Sequence, residues 1–535
     1  MPLHRNVLST SSHALRAMRS RVHRIKLLAG LLCTLLAPSC ATPHAVRNDT
    51  LRIAFEAAPA QFDPRYATDA YSQRVLDLVC ASLLTGAADG SHRPYAADRW
   101  RRDGLEFRFH LAPTARFHDG APITASDVVA TYRSILDPST GSPHRAALEA
   151  VSSVEAVDER TVLFRLQRPD AAFLDAATIG LLPARLAARG PVGPTELVGS
   201  GPYRIAAVDA DGSLWLEAAA PATLEAASIK SLEIRVVPDT LMRALAYQHG
   251  TIDFIQNALD PDTLVYLEHR QPEMKVYRGP SSNVQYLGLR LDHPLLGIRL
   301  VRRALALAID RNAIARHVLR GQARVATGLL PPAHWAYESH VRSYAYRPER
   351  ARRLLDRAGL RDPDGPGPAR RATFSYKTTT RELPRRIAEA IADQLERVGI
   401  GLSIETYEWG TFYADIRSGS FELYSLQWVG ITDPDIYRRI FHSAMTPPAG
   451  ANRGRYSNRR MDRLTARGAV ATDRDRRRRI YARVQRLAAR DLPMIPLWWP
   501  ERIVVSRRDL GRFVPDPAGS LLPLARVVLH APRAH

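Results

Sequence analysis

The chain is poor in lysine, in cysteine and in long apolar runs. Only four Lys (Lys26, Lys230, Lys275 and Lys377) stand among its 75 basic residues, and the rest are Arg spread along the sequence. The net charge of +21 and a pI near 10.3 would suit nucleic acid only if the charge were concentrated on one face beside a groove-reading element. No zinc-finger ligand spacing, RNP strand or basic heptad region is present, so no nucleic-acid partner is expected. The densest run, Arg474–Arg479, and the pair Arg370-Arg371 after a Pro/Gly loop are expected on exposed helix or loop positions.

The three cysteines, Cys33, Cys40 and Cys80, are too few for an internal disulfide framework. Cys80, in YSQRVLDLVCASLL, has Val75, Leu78, Val79 and Leu83 nearby and reads as a small buried apolar residue. The apolar stretch 27–37 (LLAGLLCTLLA) is too short for a bilayer, which needs about 20 residues. It follows a basic, acid-free stretch over 1–26 and precedes Pro38-Ser39-Cys40. That order is an export signal over residues 1–39 rather than an anchor. Ala37 and Ser39 suit ordinary cleavage, while Cys40 also suits lipidation, and both routes stay open. Catalytic signatures are missing too: there is no H-E-x-x-H, no G-x-S-x-G elbow and no paired His and Cys. His118 has no second ligand at metal spacing. Neither an enzyme nor a resident cofactor or metal is expected.

What the chain has is length and alternation. At 535 residues, 45% hydrophobic and 24% charged, it is expected to fold as two or three ordinary globular domains. Leu51/Ile53/Phe55, Phe107/Phe109/Leu111, Val162/Phe164/Leu166, Leu232/Ile234/Val236 and Asn283–Leu291 read as strands. Helical spacing covers Ala70–Leu84, Met242–Gln248, Arg299–Ile309, the segment from Pro348 to Gly359, the stripe Ile387/Ile391/Leu395/Val398, and Arg478–Ala489. His118-Asp119-Gly120 is a turn, and Thr124 with Asp127 opens a helix as N-cap and acidic first turn. The interleaving predicts α/β layers in more than one domain.

Several segments, in order, carry a resemblance. They are Phe62-Asp63-Pro64, Phe117–Gly120 with Thr124–Val128, Val198–Tyr203, Gly250–Asp253, Val301–Ala304 through Ile309–Arg311, and Tyr346–Leu360. Each is weak alone, but together they resemble the peptide- and nickel-type solute-binding proteins (family 5) of bacterial ABC importers. The resemblance implies a type II periplasmic binding protein fold, α/β, with two lobes on a hinge and an extra inserted domain. The first lobe would comprise residues 48–83, 197–283 and 494–531, the insert 84–196, and the second lobe 284–493. Crossings would fall near Ser281–Leu287 and Asp491–Pro496. It further implies a monomeric periplasmic carrier, membrane-anchored if Cys40 is lipidated, that delivers a peptide or other small polar solute to inner-membrane permease subunits. A metal chelate or haem would be the alternative cargo, and a cell-wall peptide hydrolase is the more distant reading.

In that family a tryptophan strand pairs its backbone with the bound peptide, a mode blind to side-chain identity. Gln427, Trp428, Val429 and Gly430 match it, and the partner loop would be Ala58–Phe62, with Gln61 and Phe62 at its end. Many members place an Asp on the third residue after the Trp to hold the ligand's amine. Here that residue is Ile431, and the next acids are Asp433 and Asp435. Asp433 is therefore expected to take over the amine, with turn formation at Asp-Pro as its plainer role. Trp409 is a second candidate wall of the pocket, equally suited to packing a strand end. Tyr286, on the hinge strand, could point either way.

Overall fold

The computed structural model describes residues 49–219, 224–365 and 367–529; the leader, Cys33 and Cys40 lie outside them. Thr50–Phe55 pairs in parallel with Ser231–Val236 on one side and with Phe254–Gln256 on the other. A strand between parallel neighbours is covered on both faces, and its sequence obeys that. Leu51, Ile53 and Phe55 enter one apolar cluster with Leu76 and Val79, while Ala54 enters another with Tyr247 and Leu267. The full sheet has seven strands, in the order Lys275–Gly279, Arg502–Ser506, Phe254–Gln256, Thr50–Phe55, Ser231–Val236, Leu214–Ala218 and Tyr203–Val208.

A second sheet has six strands, in the order Ala323–Val325, Met494–Pro500, Val284–Leu289, Leu423–Trp428, Ala372–Thr379 and Ile400–Tyr407. Alternation again divides the faces. Leu287 and Leu289 pack with the helices Arg299–Ala308 and Glu382–Glu396, and Val284 and Tyr286 pack with Phe412, Tyr481 and Trp499.

Between the first strand and Tyr203 the chain builds a separate antiparallel sheet of four strands, Ala97–Asp103, Glu106–Leu111, Thr161–Leu166 and Val151–Ala156. The helix Ala125–Leu136 covers it, around Phe107, Phe109, Phe164, Phe173 and Tyr132. The expected start of that helix is present: Asp127 accepts the Thr124 backbone N–H at 2.9 Å. Gly120 turns at φ 86°, a conformation that costs glycine nothing. The Phe62-Asp63-Pro64 motif fastens this insert to the first sheet's half. Asp63 and Arg65 form an ion pair whose side chains are 0% and 1% exposed. Arg65 also donates to the Ala187 and Gly190 carbonyls, and Asp63 accepts the Val192 N–H.

The chain passes between the two large sheets through Pro280–Asn283 and returns through Glu501. The return differs from expectation. Met494–Pro500, expected at the crossing and in the first lobe, is a strand of the second sheet paired with Val284–Leu289. The two passages lie side by side, since Gly279 pairs with Arg502 before them and Gln285 with Trp498 after them. The Arg run differs as well. Its helix spans Arg474–Asp491, and Arg477 is buried because it shares a face with Ile480, Tyr481 and Val484. Cys80 is buried as a free thiol, and burial pushes its pKa up.

Candidate ligand-binding site

Leu423–Trp428 is paired along its whole length with Val284–Leu289. On its other edge Ala372–Thr379 reaches only Leu423 and Tyr424. Among the described residues, the backbone from Ser425 to Trp428 thus has one edge with no strand beside it. Beyond Trp428 the chain turns at Gly430, where φ is 67°. The Gly430 N–H donates to Asn283 Oδ1 and the Ile431 N–H to the Ser282 carbonyl, both at 2.9 Å. These bonds fasten the end of the strand to the first crossing. Val429 is left 61% exposed.

Past that turn, Ile431 and Thr432 border a cavity of about 780 Å³. Its other walls come from Gln73, Leu76 and Asp77 of the helix Ala70–Val79, from the insert, from Pro280–Ser282 and from the C-terminal stretch after Leu510. A second cavity of about 610 Å³ shares Gln73, Asp175, Thr178 and Gly180 with the first and continues to Asp435, Arg438, Arg439 and His442. The segment following the Trp-x-Gly therefore contributes to the second half's wall of both, beside Pro331, Ala333 and His334 in the first and Met445, Ala466, Ala469 and Val470 in the second.

Trp428 itself borders neither cavity. Its ring stacks on Tyr286 at 6.0 Å with the planes 11° apart, and the Arg453 guanidinium lies over the Trp428 ring, 5.0 Å from its centroid. Arg453 also lies 5.3 Å from the Tyr413 ring, which stacks on Trp409 at 5.4 Å. The result is one column, Trp409, Tyr413, Arg453, Trp428 and Tyr286, held by stacking and cation–π attraction. Trp409, first residue of the helix Trp409–Ser418, is its 56% exposed end. Tyr286 is its buried end, within reach of the Tyr424 and Arg453 side chains, and does not face a ligand space. Gln427 lies opposite Gln285 in the sheet. The loop Ala58–Phe62 lines neither cavity: the side-chain oxygen Oε1 of Gln61 accepts the N–H groups of Phe62 and Asp63, and Phe62 packs on the first sheet's core. The first half contributes the following helix instead.

Asp433 also departs from expectation. Its two carboxylate oxygens accept from the two terminal nitrogens of Arg477, each at 2.6 Å, and one of them also accepts the Asp435 N–H. A carboxylate so occupied has little left for a ligand's amine. Burial alone would lower the Arg477 pKa, but the charge of Asp433 turns the net shift upward. Asp435 is bound by Tyr481 and Arg438, each at 2.8 Å, and burial raises its pKa. Burial lowers the pKa of His334. Its Nε2–H donates to the Thr432 carbonyl at 2.9 Å, and Nδ1 accepts the Ala336 N–H. His118 bonds the Gly201 carbonyl at 2.9 Å beside its turn. Among the described residues no group of three or more His, Cys, Asp or Glu is arranged to hold a metal ion, and no helix is long and apolar enough to cross a membrane.

Asp175, Arg453, His334 and Arg477 were not singled out from sequence. Arg477 was hidden by the surrounding Arg run, and the other three lie in no motif. The sequence departure at Ile431 falls on a residue that borders the first cavity.

The chain is similar to known proteins in sequence and in fold. A "probable di/tripeptide-binding protein 5" of Pseudomonas aeruginosa is 28% identical over 504 residues, 88% of this chain and 94% of that protein. The oligopeptide-binding protein AppA of Bacillus subtilis, solved with a nonapeptide, superposes with a TM-score of 0.73 at 23% identity, covering 90% of this chain and 99% of its own. NikA of Brucella suis, solved with Fe(III)-EDTA, gives 0.79 at 21% identity, covering 90% and 100%. The two-sheet α/β architecture is thus that of the type II periplasmic binding proteins. The profile of "Bacterial extracellular solute-binding proteins, family 5 Middle" matches residues 92–445, more than half of the sequence, and the chain belongs to that family.

Proposed function

We propose that the protein is the solute-binding component of an ABC importer and that its cargo is a short peptide. The observation that carries this reading is the unpartnered backbone edge at Ser425–Trp428, which leads directly into the cavity wall at Ile431 and Thr432. An open strand edge binds an extended chain through main-chain hydrogen bonds and leaves side chains to the adjoining space. The space fits, since about 780 Å³ lies within the roughly 300–1,000 Å³ typical of small-molecule sites. The named cargo of the Pseudomonas and Bacillus relatives agrees with it.

In this reading the export signal over residues 1–39 carries the chain to the periplasm, where Cys40 is the point of cleavage or lipidation. The loaded monomer then presents its peptide to permease subunits. Native mass spectrometry of protein purified without refolding tests the cargo. Bound masses should correspond to mixtures of short peptides. A single haem or metal-chelate mass would replace the peptide reading.

A further inference from the structure

If the cargo is a peptide, its amine needs an acid, and the usual place for one holds Ile431. We propose that Asp175, on the inserted domain, accepts the ligand's positively charged group. The inference rests on the peptide reading above and assigns a residue within that same site.

The argument is one of position and of partners. Four residues border both cavities, and Asp175 is the single ionisable one among them. It therefore lies on the wall common to the two spaces. The other acids of these walls each have partners of their own. Asp516 accepts three backbone N–H groups, from Ala518, Gly519 and Ser520. Asp435 is held by Tyr481 and Arg438. Asp170 accepts the Ala172 N–H, and Glu149 is paired with Arg168. Asp77 accepts the Gln73 amide at 2.8 Å and is also bonded by Ser520. Asp175 has one side-chain contact among the described residues, His92 Nε2 at 2.8 Å on a single oxygen, and a third of its side chain is still exposed.

Its surroundings favour a visiting cation. Burial raises the Asp175 pKa; His92 opposes that rise, and the charge of Asp433 adds to it. Arg477 also opposes the rise through its charge, but its hydrogen bonds go to Asp433 and not to Asp175. A ligand ammonium beside Asp175 would restore the charge balance at the junction of the two cavities. The acid that reads the amine would then sit on the inserted domain, across the cleft from the Trp-x-Gly segment.

Calorimetry with trialanine and N-acetyl-trialanine, against the wild type and Asp175→Asn, tests this. The wild type should prefer the free amine. Asp175→Asn should lose at least about 30-fold in affinity for trialanine and keep its affinity for the acetylated peptide, which also shows that the variant is folded. Equal losses for both peptides, no loss for either, or a wild type indifferent to acetylation would overturn the assignment and leave Asp175 as a structural partner of His92. A wild type that binds neither peptide would bring down the peptide reading itself, and this assignment with it.

Discussion

Away from the two chain crossings, the halves of the molecule meet in two contrasting ways. On the insert's side the contact is built mainly from backbone and shape, with one exposed ion pair, Arg474 to Asp89 at 3.1 Å, at its edge. The Trp335 N–H donates to the Asp89 carbonyl and the Ala171 N–H to the Ala469 carbonyl, each at 2.9 Å. Gly90 presses so closely on the Thr432 carbonyl and the His334 ring that a Cβ there would come within 2.8 and 2.9 Å of them. On the other side the contact is built from side-chain charge. Asp262 takes Arg320 at 2.5 Å and Arg386 at 2.6 Å, all three side chains being a third to a half exposed. Backbone bonds and a glycine contact have one geometry and fail abruptly, whereas long exposed side chains re-form their pairs over a range of separations. The first contact can define a closed state, and the second can only bias its approach.

The largest effect is expected beneath the first contact. Arg477 supports it twice, by saturating Asp433 and by lying 5.8 Å from the Trp335 ring. Arg477→Met would leave a largely buried carboxylate without its partner, a change that costs about 3–5 kcal/mol. Urea unfolding should show that loss. The double variant Arg477→Met/Asp433→Leu should regain most of it, since replacing both ions with apolar groups is often close to neutral. A single-variant loss below about 1 kcal/mol would mean that the pair behaves as a surface pair and gives the contact no support.

The next effect separates strain from contact. Gly90 has φ 76° and Gly120 φ 86°, but a Cβ on Gly120 would meet nothing within 4 Å. Alanine at either position should therefore cost about 1–2 kcal/mol of stability through its left-handed backbone. Only Gly90→Ala also obstructs the meeting of insert and second half. It should bind trialanine about tenfold more weakly, equivalent to about 1.4 kcal/mol, and give a larger radius of gyration with the peptide than the wild type does. If the two variants scatter and bind alike, the Gly90 contact does not govern closure.

Much of this frame was legible in the sequence, for reasons that also explain what was not. Alternation located Thr50–Phe55, Glu106–Leu111, Thr161–Leu166 and Ser231–Val236, because each strand must bury at least one face. Thr124 with Asp127, and Gly120, were readable because caps and turns are solved locally by a few residue types. The partner of a strand is not a local property. LPMIPLWW announces a buried strand but not which of two sheets receives it, so Met494–Pro500 was assigned to the wrong side. Helix phase decided Arg477: its neighbours Arg476 and Arg478 are exposed while it points inward with Ile480 and Tyr481. At the site, Asp433 makes the local bond expected of an Asp-Pro turn, to the Asp435 N–H, while its Arg477 partner lies 44 residues away on another helix and left no local signal. Asp175 had no signal in DAAFLDAATIG at all; only the meeting of insert and cavity gives it meaning.

The smallest effect belongs to the charged contact. Asp262→Asn removes the acid shared by Arg320 and Arg386 but strands no buried group, since Asp262 is 40% exposed and both Arg side chains reach solvent. Exposed pairs of this kind contribute about 0–1 kcal/mol, and they weaken as salt rises because the screening length falls to about 3 Å at 1 M. The expected outcome is a small loss of trialanine affinity at low ionic strength that disappears near 1 M salt. The affinity lost in Gly90→Ala should persist across the same range, because a steric clash is not screened. A loss in Asp262→Asn that survives high salt would show that this contact is geometric as well, and the distinction between the two sides of the closed molecule would fall.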